Sequence, residues 1–392
     1  MVDTLTLGNR RWLILALGVF AQAAQATVVN GAAFLIPTWH DEAGFTLAQA
    51  GTLASAPLFG GMFTLVAWGA LADRFGERLA LSAGMAITAT AVTTAMFTTS
   101  PAALGILLMC AGAGAVSANA ASGRVVVGWF PIHQRGLAMG IRQMSVPLGV
   151  AASALVIPQL ARDHGTAWAL AFPALVCGVA AVSCAIGIVD PPRPDRAEAA
   201  RTGALANPYR TGAALTRIHI ASILLVIPQY VVWTYALVWL IVDRGWDETG
   251  AGLVITAAQI LGALGRVAVG AWSDRVGSRL GPLRIVSVIT AVSMVALAAT
   301  SLTDFPVAVA VLLVASVATS SPNGLAFTAV AEIAGPYWGG RALGVQNTGQ
   351  FVFAAAVGPV FGALIAAVGF PAAFALSAIA PAAAVPVVPK ND

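Results

Sequence analysis

Three arginines stand inside long apolar runs: Arg124, Arg142 and Arg266. A guanidinium keeps its charge in any protein setting, so it makes a poor proton carrier, but its planar fork of N–H donors suits a carboxylate or a phosphate. No carboxylate falls near the middle of any apolar run. Glu332 is the only acid well inside one, and it lies close to an end. An ionisable group at membrane depth is costly and marks a functional hypothesis. Cations without opposing acids point to an anionic ligand. The competing reading is structural: each arginine snorkels to an interface or pairs with a neighbouring helix. Gln143, Gln346, Asn347, Asn119, Gln259, Tyr230 and Asn323 add uncharged polar groups within the same runs. Any one of these more often joins two helices than holds a ligand.

Bond-making chemistry is not expected. The four histidines (His40, His133, His164 and His219) lack metal-ligand spacing, and the three cysteines (Cys110, Cys177 and Cys184) all fall in apolar runs. The pattern holds no nucleophile–base set and no nucleotide loop, which predicts a protein that is not an enzyme and has no cofactor or metal.

The elements that must hold these groups follow from composition. The chain has 392 residues, 59% hydrophobic and only 9% charged. Soluble domains run near a quarter charged, so a soluble protein is excluded. The apolar runs are unbroken rather than alternating, which excludes an outer-membrane barrel. The expectation is an all-α polytopic membrane protein of twelve spans. The hydrophobic pattern predicts helices over 11–37 (α1), 47–71 (α2), 78–99 (α3), 102–130 (α4), 136–160 (α5), 166–189 (α6), 216–242 (α7), 248–272 (α8), 282–301 (α9), 304–333 (α10), 341–368 (α11) and 370–388 (α12). Arg266 lies past the centre of α8, roughly 9 Å toward its end at ~1.5 Å per residue. Ser320-Ser321-Pro322-Asn323-Gly324 marks a break in α10, of the kind tolerated where backbone lines a cavity or packs on a neighbour.

Residues 191–215 form the only long polar stretch, a linker between an N-terminal bundle (1–190) and a C-terminal one (216–392). Fifteen of the twenty basic residues fall in the loops on the linker's side and two on the other. That bias predicts cytoplasmic termini in a plasma membrane, and it makes the net charge of +4 a matter of topology rather than of nucleic-acid binding.

The chain also repeats. Gly69-Ala-Leu-Ala-Asp73-Arg74-Phe-Gly76-Glu-Arg78 follows α2, and Gly270-Ala-Trp-Ser-Asp274-Arg275-Val-Gly277-Ser-Arg279 follows α8, 201 residues later. Gly140-Ile-Arg142-Gln143 in α5 matches Gly344-Val-Gln346-Asn347 in α11 at a shift of 204. Two parallel six-helix halves with a site between them is a transporter architecture. The glycines allow tight turns and close helix approach, while the Asp and Arg bond neighbouring helix ends. Gly69, Asp73, Arg74, Gly76, Arg78, Arg135, Gly270, Asp274, Arg275, Gly277, Arg279, Glu332 and Arg341 are therefore candidate conformational gate residues, with Glu332 read as a partner of Arg275, Arg279 or Arg341.

The doubled Gly-Asp-Arg-Gly-Arg loop resembles the signature of the major facilitator superfamily. Trp129-Phe130-Pro131 through Arg135-Gly136-Leu137-Ala138-Met139-Gly140 resembles the α4–α5 junction of organic-anion branches of that superfamily: the oxalate:formate antiporters, the monocarboxylate transporters and the anion:cation symporters. Gly265-Arg266-Val-Ala-Val-Gly270 is similar to the α8 pattern of the first two. The resemblance implies that Arg266 binds a substrate carboxylate. The position one turn earlier is Gly262, where monocarboxylate transporters carry Asp, which disfavours proton coupling by that route. The expected function is secondary transport of a small organic anion by a monomer, with protons or a counter-anion as the coupling partner. The alternative is efflux of drugs or hydrophobic metabolites.

Overall fold

A computed structural model describes residues 2–41, 44–98, 100–302 and 307–390. The predicted first residues of α10, from 304, and the predicted end of α3, at 99, lie outside the described residues. The chain is all-helical, with no strand among the described residues. Helix α1 runs Val2–Val29 and continues through a 3-10 turn, Gly31–Leu35, into Ile36–Asp41. Then come α2 (Leu47–Phe75), α3 (Glu77–Ala95), α4 (Pro101–Ala115 and Ser117–Trp129), α5 (Arg135–Gln143 and Ser145–His164) and α6 (Thr166–Gly187). A short linker helix, Arg196–Arg201, precedes α7 (Ala214–Val238, extended by one wide turn, Trp239–Asp243), α8 (Glu248–Val276), α9 (Leu280–Ser301) and α10 (Val307–Ser320 and Pro322–Ala334). The helical stretch Gly339–Ser377 breaks at Gly369 (φ 80°, ψ 171°). That break divides α11 (339–368) from α12, which begins at 370 and ends with the segment Ile379–Val387.

Local chemistry explains the helix starts. Thr46 and Gln49 form a reciprocal capping box at α2, with bonds of 3.2 and 2.9 Å. Pro101 occupies the first turn of α4 behind the Ser100 cap. Asp247 accepts the Gly250 N–H at 2.8 Å to start α8. The break in α10 falls where the sequence places it. Pro322 has no N–H to offer the Ala318 carbonyl, and the Thr290 hydroxyl of α9 takes that carbonyl instead at 3.0 Å.

Among the described residues, ten helical stretches are long and apolar enough to cross a membrane. One of them contains both α11 and α12. The threonine-rich α3 completes a set of twelve long helices among the described residues. Contacts divide the chain into two compact units. The first comprises Met1–Phe130, Met144–Ala206 and Ala334–Thr348; the second comprises Pro131–Gln143, Asn207–Ile333 and Gly349–Asp392. Both α5 and α11 therefore begin in one unit and continue in the other. The first unit packs small residues of α1 to α6 around Leu81, Met85, Leu108 and Cys177. The second packs around Trp239, Leu297, Leu312 and Phe374, with the Trp239 and Phe374 rings edge to face at 5.8 Å.

Candidate functional site

Within the second unit, four elements bring half of the predicted polar groups together. The α5 segment Arg135–Gln143 ends on Arg142 and Gln143. Arg266 comes from α8, Tyr230 and Trp233 from α7, and Asn323 and Phe327 from the second segment of α10. The Arg266 side chain is 3% exposed. Its Nε donates to the Ser320 carbonyl at 3.1 Å, beside the α10 break, and its Nη1 donates to the Gln143 carbonyl at 2.8 Å. The guanidinium lies 5.7 Å from the centre of the Trp233 ring. No carboxylate among the described residues pairs with it. Among the described residues only two of its five N–H donors are spent, both on backbone.

Arg142 is 1% exposed and donates to Gln143 Oε1 at 2.9 Å, with the Phe327 ring centre 5.6 Å away. Gln143 therefore joins the two guanidiniums, Arg142 through its side chain and Arg266 through its backbone. A second polar chain runs beside them: Gln350 donates to Asn323 Oδ1 at 3.1 Å, and Asn323 donates to Gln229 Oε1 at 3.0 Å. The Tyr230 and Trp233 rings meet at a tilt of 41°, with centroids 5.5 Å apart. The arrangement is a buried, doubly cationic, aromatic-walled polar cluster.

The candidate gate residues form two matched clamps, one in each unit. In the second unit, Asp274 accepts the backbone N–H groups of Gly136 at 2.9 Å and Leu137 at 2.8 Å, capping the first turn of α5. Arg279 pairs with Asp274 at 2.7 Å and with Glu332 at 3.3 Å, and Arg135 also reaches Glu332 at 3.3 Å. Glu332 thus binds Arg279, as read from the sequence, but its second partner is Arg135 rather than Arg275 or Arg341. Arg275 is exposed.

In the first unit, Asp73 accepts from Gly340 N at 2.7 Å and Arg341 N at 2.9 Å, capping α11 in the same way. The helices touch backbone to backbone at both clamps. A Cβ on Gly69 would meet the Gly340 carbonyl, and one on Gly270 would meet the Gly136 carbonyl. Gly76 (φ 101°) and Gly277 (φ 69°) make the turns out of α2 and α8. Arg74 and Arg78 are exposed; the Arg78 backbone N–H bonds Asp190 at 2.8 Å.

Arg124 takes the structural pairing that its sequence setting allows beside ligand binding. It belongs to the first unit, where it pairs with the fully buried Glu77 and donates to the Pro336 carbonyl. Arg193, from the linker, pairs with the same Glu77 at 2.7 Å and donates to the Ala72 and Asp73 carbonyls at the end of α2. Burial penalises the Arg124 charge unless Glu77 balances it. Glu77→Ala should therefore destabilise the protein by about 3–5 kcal/mol. Thermal unfolding of the purified variant measures this, and the Glu77→Ala/Arg124→Leu pair should recover most of the loss.

Asn119, Gln346 and Asn347 are also in the first unit. Asn119 accepts from Gln22 at 2.8 Å, and Asn347 donates to the Leu343 carbonyl of its own helix at 2.8 Å. Gln346 is buried, and Gln259 is half-buried on α8. Glu77, Arg193 and Phe327 were not singled out by the sequence reading. Glu77 gave one signal: its repeat counterpart is Ser278, so the acid is an addition to only one of the two loops.

A model of the Major Facilitator Superfamily matches residues 218–389. The uncharacterized MFS-type transporter Rv2994 of Mycobacterium tuberculosis is 48% identical over 379 residues, covering 97% of this chain and 85% of the relative. The chain belongs to the major facilitator superfamily. It is a multi-pass membrane transporter and not an enzyme. The probable sulfoacetate transporter SauU of Cupriavidus necator is 26% identical over 364 residues, covering 85% of this chain and 82% of that one. Solved superfamily structures share the fold. The outward conformation of FucP has a TM-score of 0.73 at 17% identity, with 95% of this chain and 97% of that chain covered. A mutant of XylE has a TM-score of 0.76 at 15% identity, with 97% and 96% covered.

Proposed function

We propose that the protein is a secondary transporter of a small organic anion. The observation that carries this reading is Arg266: a guanidinium at membrane depth, buried, and among the described residues bonded only to backbone, without a carboxylate partner and with donors to spare. A second guanidinium, Arg142, converges on the same Gln143. Burying like charges together is costly unless an anion balances them. A ligand carboxylate seated on Arg266 supplies that balance, with Tyr230, Trp233 and Asn323 as the surrounding wall. The α4–α5 and α8 resemblance to organic-anion branches supports the same class, as does the relative that is a probable sulfoacetate transporter.

In this reading transport follows alternating access, with the site exposed to one side of the membrane at a time. The clamps at Asp73 and Asp274 hold the face bearing the basic loops, which is cytoplasmic with both termini in a plasma membrane. One chain carries a complete pathway, so the monomer is the working unit. With no acid beside Arg266, exchange against a counter-anion or entry of a proton with the substrate is the economical coupling. Purified protein should be stabilised thermally by small carboxylates or sulfonates at millimolar concentration and not by sugars. Stabilisation by cationic drugs alone would replace this reading with drug efflux.

A further inference from the structure

The two clamps are alike in backbone but not in charge. In the second unit Arg135 and Arg279 are matched by Asp274 and Glu332. In the first, a pocket of about 620 Å³ is lined by Asp73, Arg74, Arg193, Leu205, Tyr337, Trp338 and Arg341; Glu77, outside the lining, is shared by Arg124 and Arg193, so Arg74 and Arg341 face the single carboxylate of Asp73. That carboxylate is already spent. Its oxygens accept the N–H groups of Gly340 and Arg341, and the Asp73 side chain is fully buried. Arg341 stands 4.4 Å from the centre of the Trp338 ring, and its Nε, 3.4 Å from Asp73, is buried without a hydrogen bond. The Nε of Arg193 is likewise buried and unbonded. Arg74 is exposed and reaches the pocket from the end of α2.

The pocket is therefore a cationic, aromatic-walled concavity with unspent guanidinium donors. We propose that it binds a phosphate group, either the headgroup of an anionic membrane lipid or a free phosphate. Guanidiniums match phosphate oxygens in fork geometry, and basic pockets at the inner ends of membrane helices take lipid headgroups. Trp338 and Tyr337 suit an interfacial position. Phe75 and Leu79, both exposed beside Arg74, offer apolar surface to the acyl chains of a lipid.

The test uses the full chain and needs no transport substrate, so its outcome is independent of the anion reading of Arg266. Protein in nanodiscs of phosphatidylcholine with phosphatidylglycerol is compared with protein in phosphatidylcholine alone, and retained lipid is counted by native mass spectrometry. Inorganic phosphate is added to the second sample at constant ionic strength while thermal unfolding is followed. Retention of phosphatidylglycerol that falls about fivefold in Arg74→Gln supports a lipid occupant, at about one kilocalorie per surface arginine. Arg74→Gln/Arg341→Gln should fall further, and Arg201→Gln in the linker should match the wild type. Stabilisation by inorganic phosphate that Arg74→Gln abolishes assigns a soluble occupant to the same pocket. Equal retention and equal unfolding temperatures in wild type and Arg74→Gln overturn the proposal. Arg74 is exposed, so its loss leaves the fold intact.

Discussion

Arg266→Ala should abolish uptake of the transported anion into proteoliposomes, lowering kcat/KM by roughly a hundredfold or more. A charge-assisted hydrogen bond contributes about 1.5–3 kcal/mol, and a carboxylate held by both arms of the guanidinium loses two. The fold should survive. The substitution removes donors from the Ser320 and Gln143 carbonyls, but it also removes a buried charge that no acid among the described residues pairs, and these terms oppose. The unfolding temperature of the unliganded protein should therefore move little, while the stabilisation conferred by the anion disappears. Arg266→Lys keeps the charge and loses the fork, so it should retain measurable but weakened uptake. Uptake by Arg266→Ala at the wild-type rate would remove Arg266 from the site and return it to the role of a structural link between α8, α10 and α5.

Much of this arrangement was legible in the residue pattern because membrane proteins use few charges. The twelve helices follow from hydrophobic run length, and the α10 break follows from Pro322. The two clamps were legible because the same ten-residue pattern occurs twice at one shift, and coincidence does not produce that. What the pattern withheld was partner choice. Arg124 and Arg142 look alike in sequence: each is a lone arginine in an apolar run with small residues around it. The structure separates them through Glu77, which is 47 positions from Arg124, and Arg193, which the linker brings back to the end of α2. Such contacts depend on how helices pack, and hydrophobic periodicity carries no record of which helix end meets which loop. Gln143 is similar. Its carbonyl reaches Arg266 only because the α5 segment ending at Gln143 packs on α8 in the second unit, where a Cβ on Gly140 would meet the Arg266 carbonyl.

The clamps give the second large expectation: Asp73→Asn and Asp274→Asn should each cut turnover at least tenfold while leaving equilibrium binding of the anion within about threefold. Each carboxylate accepts two backbone N–H groups through its two oxygens. An amide offers one oxygen and turns an NH2 group toward the second N–H, so one buried donor loses its partner, at a cost of about 1–3 kcal/mol. Applied to an equilibrium between two states of a transporter, that shift changes populations about five- to 150-fold. The two variants should also differ from each other. Asp274 carries Arg279 at 2.7 Å, whereas Arg341 approaches Asp73 only at 3.4 Å. Asp274→Asn therefore leaves Arg279 leaning on Glu332 and should lower the unfolding temperature more than Asp73→Asn does. Glu332→Gln added to Asp274→Asn should deepen the loss, since both acids of that cluster are then gone, while the same addition to Asp73→Asn should be close to additive because Asp73 and Glu332 share no partner. Initial uptake rates, anion binding and thermal unfolding on the same four variants separate these effects. Wild-type turnover in both single variants would show that the matched Asp caps hold the helix ends without governing exchange.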